Sequence, residues 1–193
     1  MAKKKLIDED EIKIYYFHGF GSGLNSSTAK ALKKAYPQLK VLTYDTMNYD
    51  NAEKQFQEYF KNKRFDHNDI FIGSSLGGYW ANRFCSVYGV QTILINPALD
   101  PNNSLKKYDG LEVGYDGPKK KYSHKENYKN VKDRIYPRVV FIGEKDNIID
   151  YKNTEKILKG HSEFVYLPNE GHQLKDMTPV IDIIPKIVNN FTN

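Results

Sequence analysis

Residues 69–84 read DIFIGSSLGGYWANRF, an apolar run, a Gly-rich turn and then a helix-forming stretch. The turn, Gly73-Ser74-Ser75-Leu76-Gly77, fits Gly-x-Ser-x-Gly with Ser75 at its centre. The pattern alone is weak, because glycine and serine are common. Its setting carries the weight: a strand over Asp69–Ser74 runs straight into a helix over Gly77–Tyr88. A sharp turn at that junction holds a serine in a strained backbone and pushes its hydroxyl into open space. Side chains two positions away would strike neighbouring backbone, so glycine is expected at Gly73 and Gly77. The new helix also aims free N–H groups at any anion formed beside Ser75. A phosphate-binding turn is the competing reading. Neither Gly-x-Gly-x-x-Gly nor Gly-Lys-Ser/Thr is present.

On either side of this junction, short β-rich runs alternate with helical patterns. Upstream come a strand at Ile12–Phe17, a helix at Ser26–Tyr36, a strand at Lys40–Tyr44 and a helix at Ala52–Asn62. Ser26, Ser27 or Thr28 can cap the first helix, and Pro37 follows its end. Downstream come strands at Gln91–Ile95, Arg138–Ile142 and Glu163–Leu167, with helices at Lys152–Lys159 and Pro179–Phe191. Strands separated by helices imply βαβ units. The expected fold is α/β, an α/β-hydrolase arrangement of about six mostly parallel strands with helices on both faces. All 193 residues are expected to form one domain. Pro97–Pro137, rich in Gly, Pro, Lys, Asn and Tyr without a strong period, is expected to be a lid-like insert over the carboxyl edge of the sheet.

A serine hydroxyl becomes an effective nucleophile when a histidine, itself held by a carboxylate, accepts its proton. In this fold the chain order is nucleophile, acid, histidine. Three histidines follow Ser75: His124 in the insert, His161 before the last strand, and His172 just after it. Only the last sits where a loop crosses the carboxyl edge, so His172 is the expected base. The acid should follow Arg138–Ile142, in Gly143-Glu144-Lys145-Asp146. Asp146 is the first choice. Asp150 competes, although it also suits a cap for the next helix, and Glu144 reads as a turn residue. The oxyanion hole is expected from the backbone N–H groups of Leu76 and Phe20, the latter in His18-Gly19-Phe20-Gly21-Ser22 after the first strand. His18 reads as a structural residue of that loop. Ser74 reads as a packing or hydrogen-bonding neighbour that points away from the pocket.

Composition sets the bounds. Hydrophobic residues are 39% and charged residues 27%, an ordinary balance for a globular protein. The net charge is +5, but the lysines are scattered and no nucleic-acid-binding module appears, so nucleic acid is not expected as a partner. No apolar run is long enough to span a bilayer. The N-terminus lacks the pattern of a secretory signal, which points to the cytoplasm. The single cysteine excludes an internal disulfide and a Cys-based zinc cluster. No metal or organic cofactor is expected, and the oligomeric state stays open.

The stretches HGFGSGLNSSTAKAL, IFIGSSLGGYWA, LINPAL, IGEKDNIIDY and the late Gly171-His172 resemble the small bacterial esterases of the YqiA-like (UPF0227) family. The resemblance spans roughly Ile14 to Met177. It implies a single-domain α/β-hydrolase with carboxylesterase or thioesterase activity, and Ser75, Asp146 and His172 as the triad. It also implies Asn96-Pro97-Ala98 as a pocket wall. The expected substrate is a small-molecule acyl ester or thioester. Peptidase, amidase or acyltransferase chemistry, and a non-catalytic binding protein, are the alternatives. The Lys119–Lys121 cluster raises a further expectation, a basic lid favouring an anionic leaving group such as a coenzyme A moiety.

Overall fold

The computed structural model describes residues 11–66, 68–105, 138–160 and 162–190. Its strands are β1 (Lys13–Phe17), β2 (Lys40–Leu42), β3 (Asp69–Ser74), β4 (Gln91–Ile95), β5 (Arg138–Gly143) and β6 (Glu163–Leu167). Its helices are α1 (Ser27–Ala35), α2 (Tyr49–Phe60), α3 (Leu76–Tyr88), α4 (Pro101–Ser104), α5 (Tyr151–Leu158) and α6 (Thr178–Asn190). The six strands form one sheet in the order β2-β1-β3-β4-β5-β6, and every pairing is parallel.

Sheet position explains strand composition. β4 and β5 are buried at every residue, as expected where helices cover both faces. Along β1 the side chains alternate: Ile14 and Tyr16 join one core cluster, Tyr15 and Phe17 the other. The first cluster holds α1 and α6 to the sheet through Leu32, Tyr36, Val180 and Ile184. The second holds α2, α3 and α5, and is dominated by aromatic rings. Phe56 lies 5.0 Å from Trp80 and 5.2 Å from Phe84, ring centre to ring centre, in a tilted and an edge-on contact.

Boundaries moved where tertiary partners decide them. β2 stops at Leu42, short of the expected Tyr44, because its partner β1 stops at Phe17, opposite Leu42. α2 begins at Tyr49, earlier than expected, because the Asn48 side chain accepts from Asn51 N at 3.0 Å and caps the helix. Ser26 caps α1, accepting from Ala29 N at 3.1 Å. Within the expected 97–137 insert, α4 occupies the start. The remainder from 106 to 137, with His124 and the Lys119–Lys121 cluster, lies outside the described residues, as does His161. Among the described residues no helix is long and apolar enough to cross a membrane.

The strand order places the site. Chain direction across the sheet reverses between β1, which leads to the outer β2, and β3, which leads to β4. At such a switch point the loops leaving adjacent strands diverge and open a crevice beyond their carboxyl ends. The loop after β1 and the turn after β3 are the two segments that meet there.

Candidate active site

Ser75 occupies the junction of β3 and α3 with φ 51° and ψ −122°, a conformation that L-residues avoid. Three backbone hydrogen bonds hold it there. Its N–H donates to Ile95 O at 3.1 Å, and its carbonyl accepts from Gly78 N and Ala98 N, both at 2.9 Å. Strain of this kind persists only where the surroundings over-determine it. The flanking glycines are required by contact. A Cβ on Gly77 would lie 2.0 Å from Phe17 O, and one on Gly73 would lie 2.3 Å from Gly77 O. Gly78 is equally constrained, since its Cβ would meet Pro97 Cβ at 2.5 Å. Leu76 is the first residue of α3, where the helix offers its N–H no acceptor.

The His18–Ser22 loop packs directly on this turn. A Cβ on Gly19 would sit 3.3 Å from Ser75 Cβ and 3.9 Å from its Oγ. Tyr44 OH donates to His18 O at 2.6 Å, its ring stacks on the imidazole at 4.7 Å, and Gly21 N donates to Thr46 Oγ1 at 3.1 Å. His18 is buried, its ring nitrogen Nδ1 lies 3.0 Å from Gly19 O, and desolvation pushes its pKa down. These contacts match the structural role expected of it. Tyr44 and Thr46, which anchor the loop, carry no local sequence signal for that task.

Two loops on the far side of the sheet bring the remaining groups together. The His172 Nδ1–H donates to Asp146 Oδ2 at 2.8 Å. The Asp146 side chain is 1% exposed, and its other oxygen accepts from Ile148 N at 2.7 Å and Ile149 N at 2.9 Å. The carboxylate is therefore fixed from both sides. Asp150 does something else: it caps α5, accepting from Lys152 N at 3.0 Å. Glu144 is exposed on its turn. The Asp146 and His172 loops touch at Gly143, where a Cβ would meet Gly171 O at 2.4 Å.

Asn96 ties these loops to β4. Its side-chain amide donates to Gly171 O at 2.9 Å and His172 O at 3.0 Å, and its Oδ1 accepts from Gly143 N at 2.7 Å. Asn96 is buried and adopts φ 42°, a left-handed conformation that asparagine tolerates better than most residues. The expected pocket wall at Asn96-Pro97-Ala98 is thus a brace in part. Asn96 lies behind His172, Ala98 N bonds Ser75, and Pro97 lines a separate cavity with Leu99 and Asp150. Asn96→Ala orphans buried polar groups at about 1–3 kcal/mol each. We expect the unfolding free energy to drop by about 2–5 kcal/mol on that basis, read from the fluorescence of Trp80. Trp80 is the only tryptophan and is fully buried. A change below about 1 kcal/mol would mean that the bonds are dispensable.

Ser75 and His172 line one cavity of about 520 Å³, together with Gly19, Phe20, Met47, Ile148 and Leu174. The structure thereby gathers Ser75, His172, Asp146 and the Phe20 loop at one place, and leaves Asp150 outside it. Ser74 needs a correction. It does hydrogen-bond, to Tyr16 OH at 2.6 Å, but it also lines the cavity it was expected to turn away from. The last residue of β3 lies at the open end of the sheet, so its inward face is cavity wall.

A parallel sheet with a strained serine at a strand–helix turn defines an α/β-hydrolase fold. The solved structures agree. The structure of Est1E from Butyrivibrio proteoclasticus with ferulic acid bound superposes with a TM-score of 0.65 and 13% identity, over 99% of this chain and 92% of that one. Alpha/beta hydrolase domain-containing protein 10 from mouse gives 0.63 and 15%, over 93% and 89%. The model of the uncharacterised protein family UPF0227 matches residues 13–189, so the chain belongs to that family. A relative, UPF0227 protein YE1706 of Yersinia enterocolitica, is 28% identical over 86% of this chain and 93% of its own length.

Proposed function

We propose that this chain is a serine hydrolase that cleaves carboxylic esters or thioesters of small to medium acyl groups through an acyl-enzyme on Ser75. One observation carries the proposal: a serine held at φ 51° opens into the same cavity as a histidine whose Nδ1 is bonded to a buried carboxylate at 2.8 Å. With Nδ1–H committed to Asp146, the free nitrogen Nε2 is the one with a lone pair for the Ser75 proton. Ser75 Oγ attacks the acyl carbon, and His172 takes the proton. The N–H groups of Leu76 and Phe20 receive the developing oxyanion. His172 then protonates the leaving alcohol or thiol, and the acyl group stays on Ser75. Water, deprotonated by the same imidazole, cleaves the acyl-enzyme and restores the serine. Asp146 fixes the tautomer and stabilises the imidazolium throughout.

The cycle draws on no metal or organic cofactor. A cavity of about 520 Å³ lies within the range that accommodates a small or medium ligand. The reading places the reaction in a single cytoplasmic domain. The test is a panel of p-nitrophenyl esters and acyl-CoA thioesters. The expected result is turnover of at least one, with an initial burst of nitrophenol or thiol as the acyl-enzyme fills. Failure to cleave any of them would overturn the esterase reading and favour a peptidase or a binding protein.

A further inference from the structure

The cavity wall is mixed. Phe20, Met47, Ile95, Leu105, Ile148 and Leu174 give it apolar surface, with Ile95 opposite Ser74 in the sheet register. The rest of the wall carries hydroxyls: Tyr16 and Ser74 from the sheet, Ser26, Ser27 and Thr28 from the start of α1. Apart from Ser26, which caps α1, the hydroxyls at this spot are not required by the fold. Tyr16 is 1% exposed, and its neighbours on the same face, Ile14, Ile72 and Ile93, are aliphatic. A buried phenol beside a serine is retained at a cost in desolvation unless its hydrogen-bonding capacity is used.

That capacity is largely but not wholly used. Tyr16 OH bonds Ser74 Oγ at 2.6 Å and also pairs with the Thr28 and Ser26 hydroxyls, and Ser26 accepts from Ala29 N as well. Most of the hydrogens of these hydroxyls are therefore spent within the cluster, and what it offers the cavity is the remaining hydrogen and lone pairs. Burial pushes the Tyr16 phenol up, against hydrogen bonding from Ser74, Thr28 and Ser26 that pulls it down, so it remains a neutral O–H. Among the described residues lining the cavity there is no Lys, Arg, Asp or Glu. The wall therefore suits a group that both donates and accepts and bears no charge. An alkyl chain laid against it would cover these hydroxyls without pairing them.

We infer that the Tyr16–Ser74–Thr28 wall is a subsite for an uncharged hydroxyl on the substrate, close to the scissile ester. The inference rests on the serine-hydrolase reading and narrows its substrate class to hydroxylated esters. The hydroxyl can belong to either half of such an ester: the acyl group, as in a hydroxyacyl ester, or the alcohol, as in a polyol ester.

Two matched pairs separate these sources. p-Nitrophenyl 3-hydroxybutyrate is compared with p-nitrophenyl butyrate, and glycerol monobutyrate with ethyl butyrate. In the native protein kcat/KM should favour the hydroxylated member of one pair by about tenfold, the worth of one neutral hydrogen bond. Which pair responds identifies the half that carries the hydroxyl. Tyr16→Phe or Ser74→Ala should bring that ratio down at least about threefold, toward unity. The ratio is taken on one preparation, so a partly unfolded variant does not distort it. A native ratio near unity in both pairs, or a ratio that neither substitution moves, overturns the subsite. If no member of either pair is cleaved and Ser75 resists a fluorophosphonate, the hydrolase reading itself has failed.

Discussion

His172→Ala should lower ester turnover by about 10⁴–10⁶-fold, the loss expected when a triad base is removed. The reason is specific to the geometry. Ser75 Oγ shares its cavity with one imidazole, and that imidazole is the only side chain among the described lining residues with a basic nitrogen to accept its proton. His18 cannot stand in for it. It is buried under Tyr44, and its Nδ1 faces the Gly19 carbonyl. Asp146→Asn should cost about 10⁴-fold: its oxygen stays on the Ile148 and Ile149 N–H groups, its NH2 faces His172 and donates to Nδ1, and the unproductive tautomer is favoured. Asp150→Ala supplies the contrast. It removes a helix cap at about 1 kcal/mol and should leave turnover within a small factor. Steady-state kinetics on the three variants checks the assignment. A large loss at Asp150 with a small one at Asp146 would reverse the two acids.

Gly77→Ala is expected to prevent stable folding. Its Cβ would lie 2.0 Å from Phe17 O, 2.5 Å from Phe17 C and 2.6 Å from His18 O. These are backbone atoms at the end of a strand flanked on both sides, so no side chain can swing aside to make room. The cost should reach about 4–5 kcal/mol or more, comparable to the whole stability of many domains. Gly23→Ala is the control, since a Cβ there meets nothing within 4 Å. Urea unfolding followed by Trp80 fluorescence should show Gly23→Ala near native and Gly77→Ala without a cooperative transition. A Gly77→Ala protein within about 1 kcal/mol of native would contradict the close approach of the turn to the end of β1.

Much of this was legible because the chemistry is local in sequence. The strand–turn–helix around Ser75 announces itself within 69–84, and the loops after β5 and β6 are each marked by an apolar run that ends. The choice between Asp146 and Asp150 was narrowed but not closed by position. It depends on which carboxylate faces His172, and the loop at 146–149 decides that by wrapping its own N–H groups around Asp146. Asn96 was harder to see. It reads as a strand terminator before Pro97, whereas its bonds reach Gly143 and Gly171, far along the chain, and no periodicity encodes them. The same holds for Tyr16. Alternation places it inward on β1, but its hydroxyl matters only because β3 ends with Ser74 beside it.

The central assignment is Ser75 as the nucleophile, and fluorophosphonate labelling addresses it without knowledge of the substrate. The native protein should take up one equivalent, with the adduct located by mass spectrometry on Ser75. Ser75→Ala should take up none, while Ser74→Ala should still be labelled. Equal labelling of the native protein and Ser75→Ala would contradict the assignment.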